Sequence, residues 1–157
     1  MAPLLGADGT GLAAVQVEHS LLNRHAEAEL LPAASHVGFG VIGWSPLGRG
    51  VLTGKYRRSV PADSRAASAH LRGFVEPYLT DEAGRIVEAI VTAAEGLDRS
   101  PAEVALAWAR DTPGVTSVIT GARTATQLRA TLRATDLELP EPIRQALNDV
   151  SSAPRRS

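Results

Sequence analysis

Residues 37–54 read VGFGVIGWSPLGRGVLTG, an apolar run that leads into a turn with glycines at 43, 48, 50 and 54. The run predicts a strand at 39–45, apolar enough to be buried on both faces as strands of parallel sheets are. Because glycine has no side chain, the amides of the following turn are open to approach by phosphate oxygens. Glycines at this spacing are equally typical of an ordinary strand-to-loop turn, so the stretch alone leaves both interpretations open.

Composition excludes several classes of protein. The 157 residues are 44% hydrophobic with a net charge of −1, which argues against disorder and against a nucleic-acid surface. The absence of cysteine excludes disulfides and thiolate metal sites. No apolar run approaches the roughly 20 residues of a membrane span, and residues 1–12 lack a signal pattern. We therefore expect a cytoplasmic protein with one domain core and no membrane or nucleic-acid partner.

The spacing of apolar residues predicts alternating strands and helices. Strands are expected at 12–18, 39–45 and 115–119, with a polar loop at 51–79. Helices are expected at 24–37, 81–97, 101–110, 124–134 and 141–150, with caps from Asn23, Thr80, Ser100 and Thr124. This alternation indicates an α/β fold with a parallel sheet. Three strands are few for so many helices, and their unpaired edges suggest a piece of a larger fold.

A second informative tract, VITGARTATQL, occupies residues 118–128. The predicted third strand ends in small residues, and Thr124 then opens a helix whose free amides face the loop that holds Arg123. A helix N-terminus beside a guanidinium can bind phosphate, although a plain cap with a solvated arginine explains the tract equally well. Because parallel α/β folds bind ligands at the carboxyl ends of their strands, two such tracts favour a ligand site at that edge.

Three tracts together resemble the aldo-keto reductases: QVEHSLLNR at 16–24, GWSPLGRGVLTGKY at 43–56 and VITGARTATQL at 118–128. Their order and spacing are similar to strands six to eight of that family's (β/α)8 barrel. The resemblance implies a partial TIM barrel with about three parallel strands over residues 12–150, an unmatched segment at 1–11 and a tail at 151–157. It also implies the cofactor-binding half of an NADP-dependent oxidoreductase that reduces aldehydes and ketones by hydride transfer.

The resemblance further implies which residues would bind NADPH. They come from the ends of all three strands and follow the cofactor from nicotinamide to adenosine. In that order they are Gln16 at the carboxamide, Trp44 stacked on the nicotinamide ring, Ser45, Leu47, Gly50 and Arg49 at the pyrophosphate, and Gly121, Ala122, Arg123 and Gln127 at the 2′-phosphate end. An arginine near a 2′-phosphate favours NADP over NAD.

The chain also departs from the family pattern. His19 replaces a tyrosine that is common after Gln-Val-Glu, and Thr120 stands where proline is usual. Ala130 and Thr131 replace an acidic residue and an asparagine that reads the adenine, so adenine contacts should be weaker. The Ser-Asn pair that precedes strand six in the family is missing from residues 1–11.

The sequence assigns no catalytic residue. The family's tyrosine, lysine, aspartate and histidine lie in the N-terminal half of its barrel, which these tracts do not include. Lys55, the only lysine, is next to Tyr56, and neighbours in an extended segment should point to opposite sides. Tyr78 has no lysine available, and the histidines show no metal-ligand spacing.

Three interpretations stay open for a chain of this kind. It is a part of an NADP-dependent reductase that needs a separate N-terminal half, a non-catalytic nucleotide-binding or interaction module such as the potassium-channel β subunits, or an inactive truncated product. Exposed strand edges, and inward faces at Val15, Val41 and Val118 that lack barrel neighbours, predict low stability and self-association.

Overall fold

The computed structural model describes residues 11–62 and 64–152, so the predicted segment 1–11 and tail 151–157 lie mostly outside the described residues. Three parallel strands form one sheet in the order β1 (Ala14–Glu18), β2 (Gly40–Trp44) and β3 (Ser117–Ile119). Helices connect and flank these strands, which confirms the expected α/β fold with three parallel strands. The arrangement is that of a piece of a (β/α)8 barrel.

The described residues contain six α-helices, which lie between and after the strands. They are α1 (Leu30–Val37), α2 (Arg72–Val75), α3 (Asp81–Gly96), α4 (Pro101–Arg110), α5 (Ala125–Arg133) and α6 (Glu141–Ser151). Short 3₁₀ segments occupy His25–Glu27, Gly48–Thr53, Arg65–Ala67, Glu76–Tyr78 and Ala134–Asp136. In the described part of the chain, no helix has both the length and the apolar character needed to cross a membrane.

The predicted helix at 24–37 is wrong in its first half. A 3₁₀ turn at His25–Glu27 precedes α1, which begins only at Leu30. Proline lacks an amide proton and is tolerated only in the first turn of a helix, and starting at Leu30 places Pro32 there. Asn23 does not cap a long helix as expected. The end is as predicted, because Gly38 takes φ +89° and terminates α1.

The caps predicted for the later helices are confirmed. Ser100 accepts from the Glu103 amide and the Glu103 carboxylate accepts from the Ser100 amide, which completes a capping box at α4. Thr80 caps α3 and Thr124 caps α5 through their hydroxyl oxygens. Local chemistry alone determines these boundaries.

Residues 51–79 are not the polar loop that the sequence predicts. The segment carries α2 and several 3₁₀ turns, and it buries Val51, Leu52 and Val75 in the main core. Val51 and Leu52 are adjacent and Val75 lies far along the chain from them, so the three form no helical or strand-like period that would reveal their burial.

Strand register assigns the side chains to two faces of the sheet. Val15 pairs with Val41, and Gly43 pairs with Val118 on the same face. Val41 is fully buried in a cluster with Leu31 of α1, and Val118 packs against the main core. The expectation that Val15, Val41 and Val118 face into a barrel is therefore wrong, because these residues face the helices.

The opposite face, called here the open face, carries Gln16, Ile42, Trp44 and Ile119. Gln16 pairs with Ile42, and Trp44 pairs with Ile119, so the four side chains share one side. Gln16 is exposed and Ile119 is 44% exposed, while Ile42 and Trp44 are partly buried. The prediction that strand 39–45 is buried on both faces is therefore wrong for this face.

The main core lies between α3, α4 and α6, where Ile90, Val104, Trp108 and Leu147 are buried. It is continuous with the 3₁₀ turn at Gly48–Thr53 through Leu52, which is also buried. The helical layer therefore supports the glycine-rich turn from beneath.

Trp108 is the centre of a polar cluster inside that layer. The His19 ring stacks on it at 5.3 Å between centroids, and the Arg24 guanidinium lies 5.3 Å from its ring centre. Its Nε1 donates to Asn148 Oδ1 at 2.9 Å. Glu27 Oε1 lies 3.0 Å from His19 Nε2, so the cluster ties the end of β1 to the helices.

Candidate functional site

Three segments leave the same edge of the sheet. Glu18, Trp44 and Ile119 are register partners at the carboxyl ends of their strands. The residues that follow each of them therefore begin side by side, as expected for parallel strands. The structure thus brings the sequence-predicted tracts after 18, 44 and 119 to one edge.

Gln16 and Trp44 are diagonal neighbours on the open face. Gln16 pairs with Ile42, and Trp44 lies two residues further along β2. Gln16 is exposed, so its amide can donate and accept hydrogen bonds. The partly exposed indole of Trp44 offers a flat apolar surface beside it.

The turn after β2 has an unusual backbone. Ser45 and Arg49 take φ of 59° and 58°, a region that residues other than glycine rarely adopt, and Gly50 takes 95°. Gly48 donates to the Ser45 carbonyl, Arg49 donates to Ser45 Oγ, and Gly50 donates to the Leu47 carbonyl. Backbone strain of this kind occurs at ligand-binding turns. The amides of Gly48, Arg49 and Gly50 are, however, used inside the turn.

Close packing explains the glycine at position 48. A β-carbon there would lie 2.7 Å from Leu22 Cδ1, which is closer than real contacts allow. At Gly50 a β-carbon would lie 3.2 Å from Lys55 Nζ, so the ammonium group lies directly against this glycine. Lys55 is exposed, and no ion pair is found for it among residues 11–62 and 64–152.

The sequence assigned Lys55 no role in binding. Its position beside Gly50 adds a cation to the turn, and no pattern in the sequence indicated this contact. The expectation that Lys55 and Tyr56 point apart is wrong, because the ammonium lies 5.0 Å from the Tyr56 ring centre.

Arg49 is held by partners from two other segments. Its Nε and Nη2 donate to the two Glu18 carboxylate oxygens at 3.0 and 2.8 Å, and its Nη1 donates to the Phe74 carbonyl at 2.7 Å. The Glu18 hydrogen bond raises the pKa of Arg49 against the opposing effect of burial. Tyr78 donates to Glu18 at 3.0 Å, and burial raises the pKa of that phenol.

The second tract is exposed at the neighbouring strand end. Gly121, Ala122 and Arg123 lie at the surface before α5. The Arg123 amide donates to Gln127 Oε1 at 2.8 Å, and the Gln127 amide donates to Thr124 Oγ1 at 3.1 Å. Gln127 therefore takes part in capping α5, which sequence reasoning did not anticipate.

Some of these residues suit the binding of a nicotinamide nucleotide, and Arg49 suits it less well. At one end, an exposed amide and a flat indole share the open face, which suits a carboxamide and an aromatic ring. Next to them, Gly50 with Lys55 supplies a narrow approach and a cation for phosphate. Arg49 fits less well because Glu18 already offsets its charge. Among the described residues no group of acidic or histidine side chains could hold a metal ion.

Comparison with known proteins identifies relatives over nearly the whole chain. The sequence model of the Aldo/keto reductase family matches residues 4–151. A probable voltage-gated potassium channel subunit beta from Oryza sativa subsp. japonica is 40% identical over 147 residues, which cover 90% of this chain and 45% of that protein. The uncharacterized oxidoreductase YrpG of Bacillus subtilis is 38% identical over 92% of this chain and 42% of its own length.

A third relative is named for an activity. The L-glyceraldehyde 3-phosphate reductase of Escherichia coli K12 is 34% identical over 76% of this chain and 35% of its own length. The chain thus spans less than half the length of each of these three relatives. The family match covers most of the chain and agrees with the resemblance of the three tracts. The chain belongs to the aldo/keto reductase family of oxidoreductases.

Proposed function

We propose that this chain is the cofactor-binding half of an NADP-dependent aldo-keto reductase, strands six to eight of its barrel. The observation that carries the proposal is the meeting of three tracts at one sheet edge, with Gln16 and Trp44 side by side on the open face. Gln16 would bind the nicotinamide carboxamide, and Trp44 would cover one face of the ring. This arrangement would hold the ring at the carboxyl ends of β1 and β2.

The phosphates would follow the two loops. Ser45, Leu47 and Gly50 would lie along the pyrophosphate, and the ammonium of Lys55 would offset its charge. The adenosine 2′-phosphate would lie at the start of α5, against the residues Gly121, Ala122, Arg123 and Gln127. A guanidinium at that end favours NADPH over NADH because only NADPH carries the additional phosphate.

Calorimetric titration with NADPH and NADH tests this proposal. We expect NADPH to bind the purified chain more tightly, and Arg123→Ala to reduce that preference by about tenfold while leaving NADH binding unchanged. Trp44→Ala should weaken both cofactors equally, because the nicotinamide end is the same in both. Gln145→Ala on α6 is the control and should change neither. A folded chain that binds neither cofactor would contradict the proposal.

For catalysis, we propose that the chain needs groups from elsewhere in the family's barrel. Bound NADPH supplies the hydride, and a carbonyl also needs a proton donor. Tyr78 donates to Glu18 and has a raised pKa, while the Tyr56 hydroxyl is buried and has no hydrogen-bond partner among the residues that the structure describes. Neither hydroxyl suits proton donation at the open face.

An assay of NADPH oxidation with a simple aldehyde checks this point. The chain alone should show no turnover, and adding the family's remaining half as a second polypeptide should produce activity. Aldehyde reduction by the chain alone would refute the division of roles. The presence of such a half, or self-association through the edges of β1 and β3, can be followed by sedimentation. We further propose a cytoplasmic location, which cell fractionation tests.

A second function is favoured by the rice relative named as a potassium channel subunit beta. In this alternative the chain is a nucleotide-binding or interaction module without catalysis. Tight NADPH binding together with no turnover, even when the complementary half is present, would favour it over the reductase.

A further inference from the structure

Two aromatic rings and two acceptor groups contact the Arg49 guanidinium. The Phe74 and Tyr78 rings lie 3.9 and 4.8 Å from the guanidinium carbon, and Glu18 takes two of its N–H groups. The Phe74 carbonyl takes another at 2.7 Å. Only 16% of the Arg49 side chain and 12% of the Glu18 side chain are exposed. Three of its five N–H groups are therefore already donated, and little of the side chain is exposed. A phosphate that took the forked contact would have to displace Glu18.

Displacing Glu18 would be costly. Separating a largely buried ion pair leaves a carboxylate that has lost both water and its partner. Tyr78 also donates to that carboxylate, and Asn23 donates to the Tyr78 hydroxyl at 3.3 Å. The pair therefore belongs to a network that already satisfies its charges without a ligand.

We propose that Arg49 is a positioning residue, not a phosphate ligand, and that Glu18 and Tyr78 act with it as a clamp. The clamp joins the last residue of β1, the turn after β2, and the segment 72–78. It holds that segment at the carboxyl edge of the strands, and it stabilises the left-handed backbone at Arg49 itself. The segment 72–78 is therefore fixed at the strand ends before any ligand binds.

The roles of the two cations near the turn then differ. Glu18 offsets the charge of Arg49, whose side chain is largely buried. The side chain of Lys55 is exposed, and its ammonium lies beside Gly50. The charge available to the pyrophosphate would come from Lys55, while Arg49 would fix the shape of the site. This division of roles at the pyrophosphate rests on the proposed function, but the clamp itself does not.

Hydrogen exchange of the full chain without cofactor tests the clamp. Arg49→Met and Glu18→Gln should each speed exchange in the segment 72–78 by about tenfold or more, since each removes charged hydrogen bonds. Arg49→Lys should not restore protection, because an ammonium cannot make the forked contacts or stack on the rings. Tyr78→Phe keeps the ring and removes only the hydroxyl, so it should fold and show a smaller effect.

Arg57→Met provides the matched control. Arg57 also forms a paired contact with a glutamate, Glu88, but this pair is 36% and 58% exposed. Its loss should leave exchange in the segment 72–78 unchanged. Unchanged exchange in both Arg49→Met and Tyr78→Phe would overturn the clamp.

The salt dependence of NADPH binding separates positioning from direct contact. Arg49→Met should weaken binding without changing how steeply affinity falls with added KCl, whereas Lys55→Met should flatten that dependence. A flattened dependence in Arg49→Met would overturn the positioning role. If the wild-type chain binds no NADPH, the proposed function fails, and hydrogen exchange alone decides the clamp.

Discussion

Helices α4 and α5 have similar local signals but very different surroundings. Both are capped by a hydroxyl residue, and they have 10 and 9 residues. In α4, seven consecutive residues from Glu103 to Ala109 are buried, whereas α5 has no buried residue. The first belongs to the helical layer that forms the main core. The second, like the open face of the sheet, stays largely exposed among the residues that the structure describes. Helix formation is thus local, while stability depends on packing.

The two tryptophans give the largest test of this contrast. Trp108 is 1% exposed inside the helical layer, and Trp44 is partly exposed on the open face. Trp108→Ala should lower the free energy of unfolding by ~3–5 kcal/mol, because it leaves a cavity and removes the partner of Asn148. Trp44→Ala should cost less than ~1 kcal/mol. Denaturant titration of both variants measures the difference. Equal losses would mean that the open face is as well packed as the helical layer.

Acid should lower the stability of the helical layer by protonating Glu27. Burial alone would raise the pKa of this carboxyl, but hydrogen bonds from His19 and Arg24 outweigh it and lower the pKa from 4.5 to about 2. A depressed folded-state pKa gives stability that is present above pH 4.5 and is lost as the pH falls towards 2. Glu27→Gln should therefore cost ~1.5–3 kcal/mol at neutral pH and much less at about pH 3.

Denaturant midpoints at several pH values check this prediction. Glu95→Gln on the exposed side of α3 is the control, and it should keep the wild-type acid sensitivity. A Glu27→Gln variant whose midpoint falls with pH as steeply as that of the wild type would rule out this origin of the acid sensitivity.

The caps of α4 and α5 provide a smaller test. Ser100→Ala should cost ~1–2 kcal/mol, because a cap on a buried helix is coupled to the whole core. Thr124→Ala should cost less than ~0.5 kcal/mol, since α5 contributes little burial. Local amide exchange in α5 should nevertheless increase in Thr124→Ala. Equal global losses from the two substitutions would show that α5 is part of the cooperative core.

Much of the fold was predictable from local chemistry. The sequence Ser100-Pro101-Ala102-Glu103 specifies its own capping box, and Gly38 specifies its own helix end. The break before α1 follows from Pro32, a local signal that outweighs the apolar spacing across 24–37. The faces of Val15, Val41 and Val118 could not be read in this way. Strand alternation gives two faces, and only the packing of distant helices determines which one is buried.

The site shows the same division. Parallel strands predict that residues after 18, 44 and 119 meet at one edge, and the register confirms that they do. The ion pair between Arg49 and Glu18 was not predictable, because 31 residues separate the two. The hydrogen bond from Tyr78 to Glu18 was not predictable either, since it spans 60 residues. Charged residues that far apart have many candidate partners in a sequence. Their pairing depends on how the segment 72–78 folds back.

The smallest expected effect on stability concerns the exposed leucines of α5. Leu128 and Leu132 are 49% and 55% exposed and lie one turn apart, so they form an apolar strip on the helix surface. Replacing both by Gln should change the free energy of unfolding by less than ~0.5 kcal/mol, because neither side chain is buried. The same change should reduce any self-association, since it removes apolar surface that another chain could cover. Sedimentation at increasing protein concentration, beside denaturant titration, measures both quantities.

A large loss of stability would mean that α5 packs more tightly than its exposure indicates. Unchanged self-association would point instead to the edges of β1 and β3, where unpaired backbone groups, not side chains, would hold two chains together.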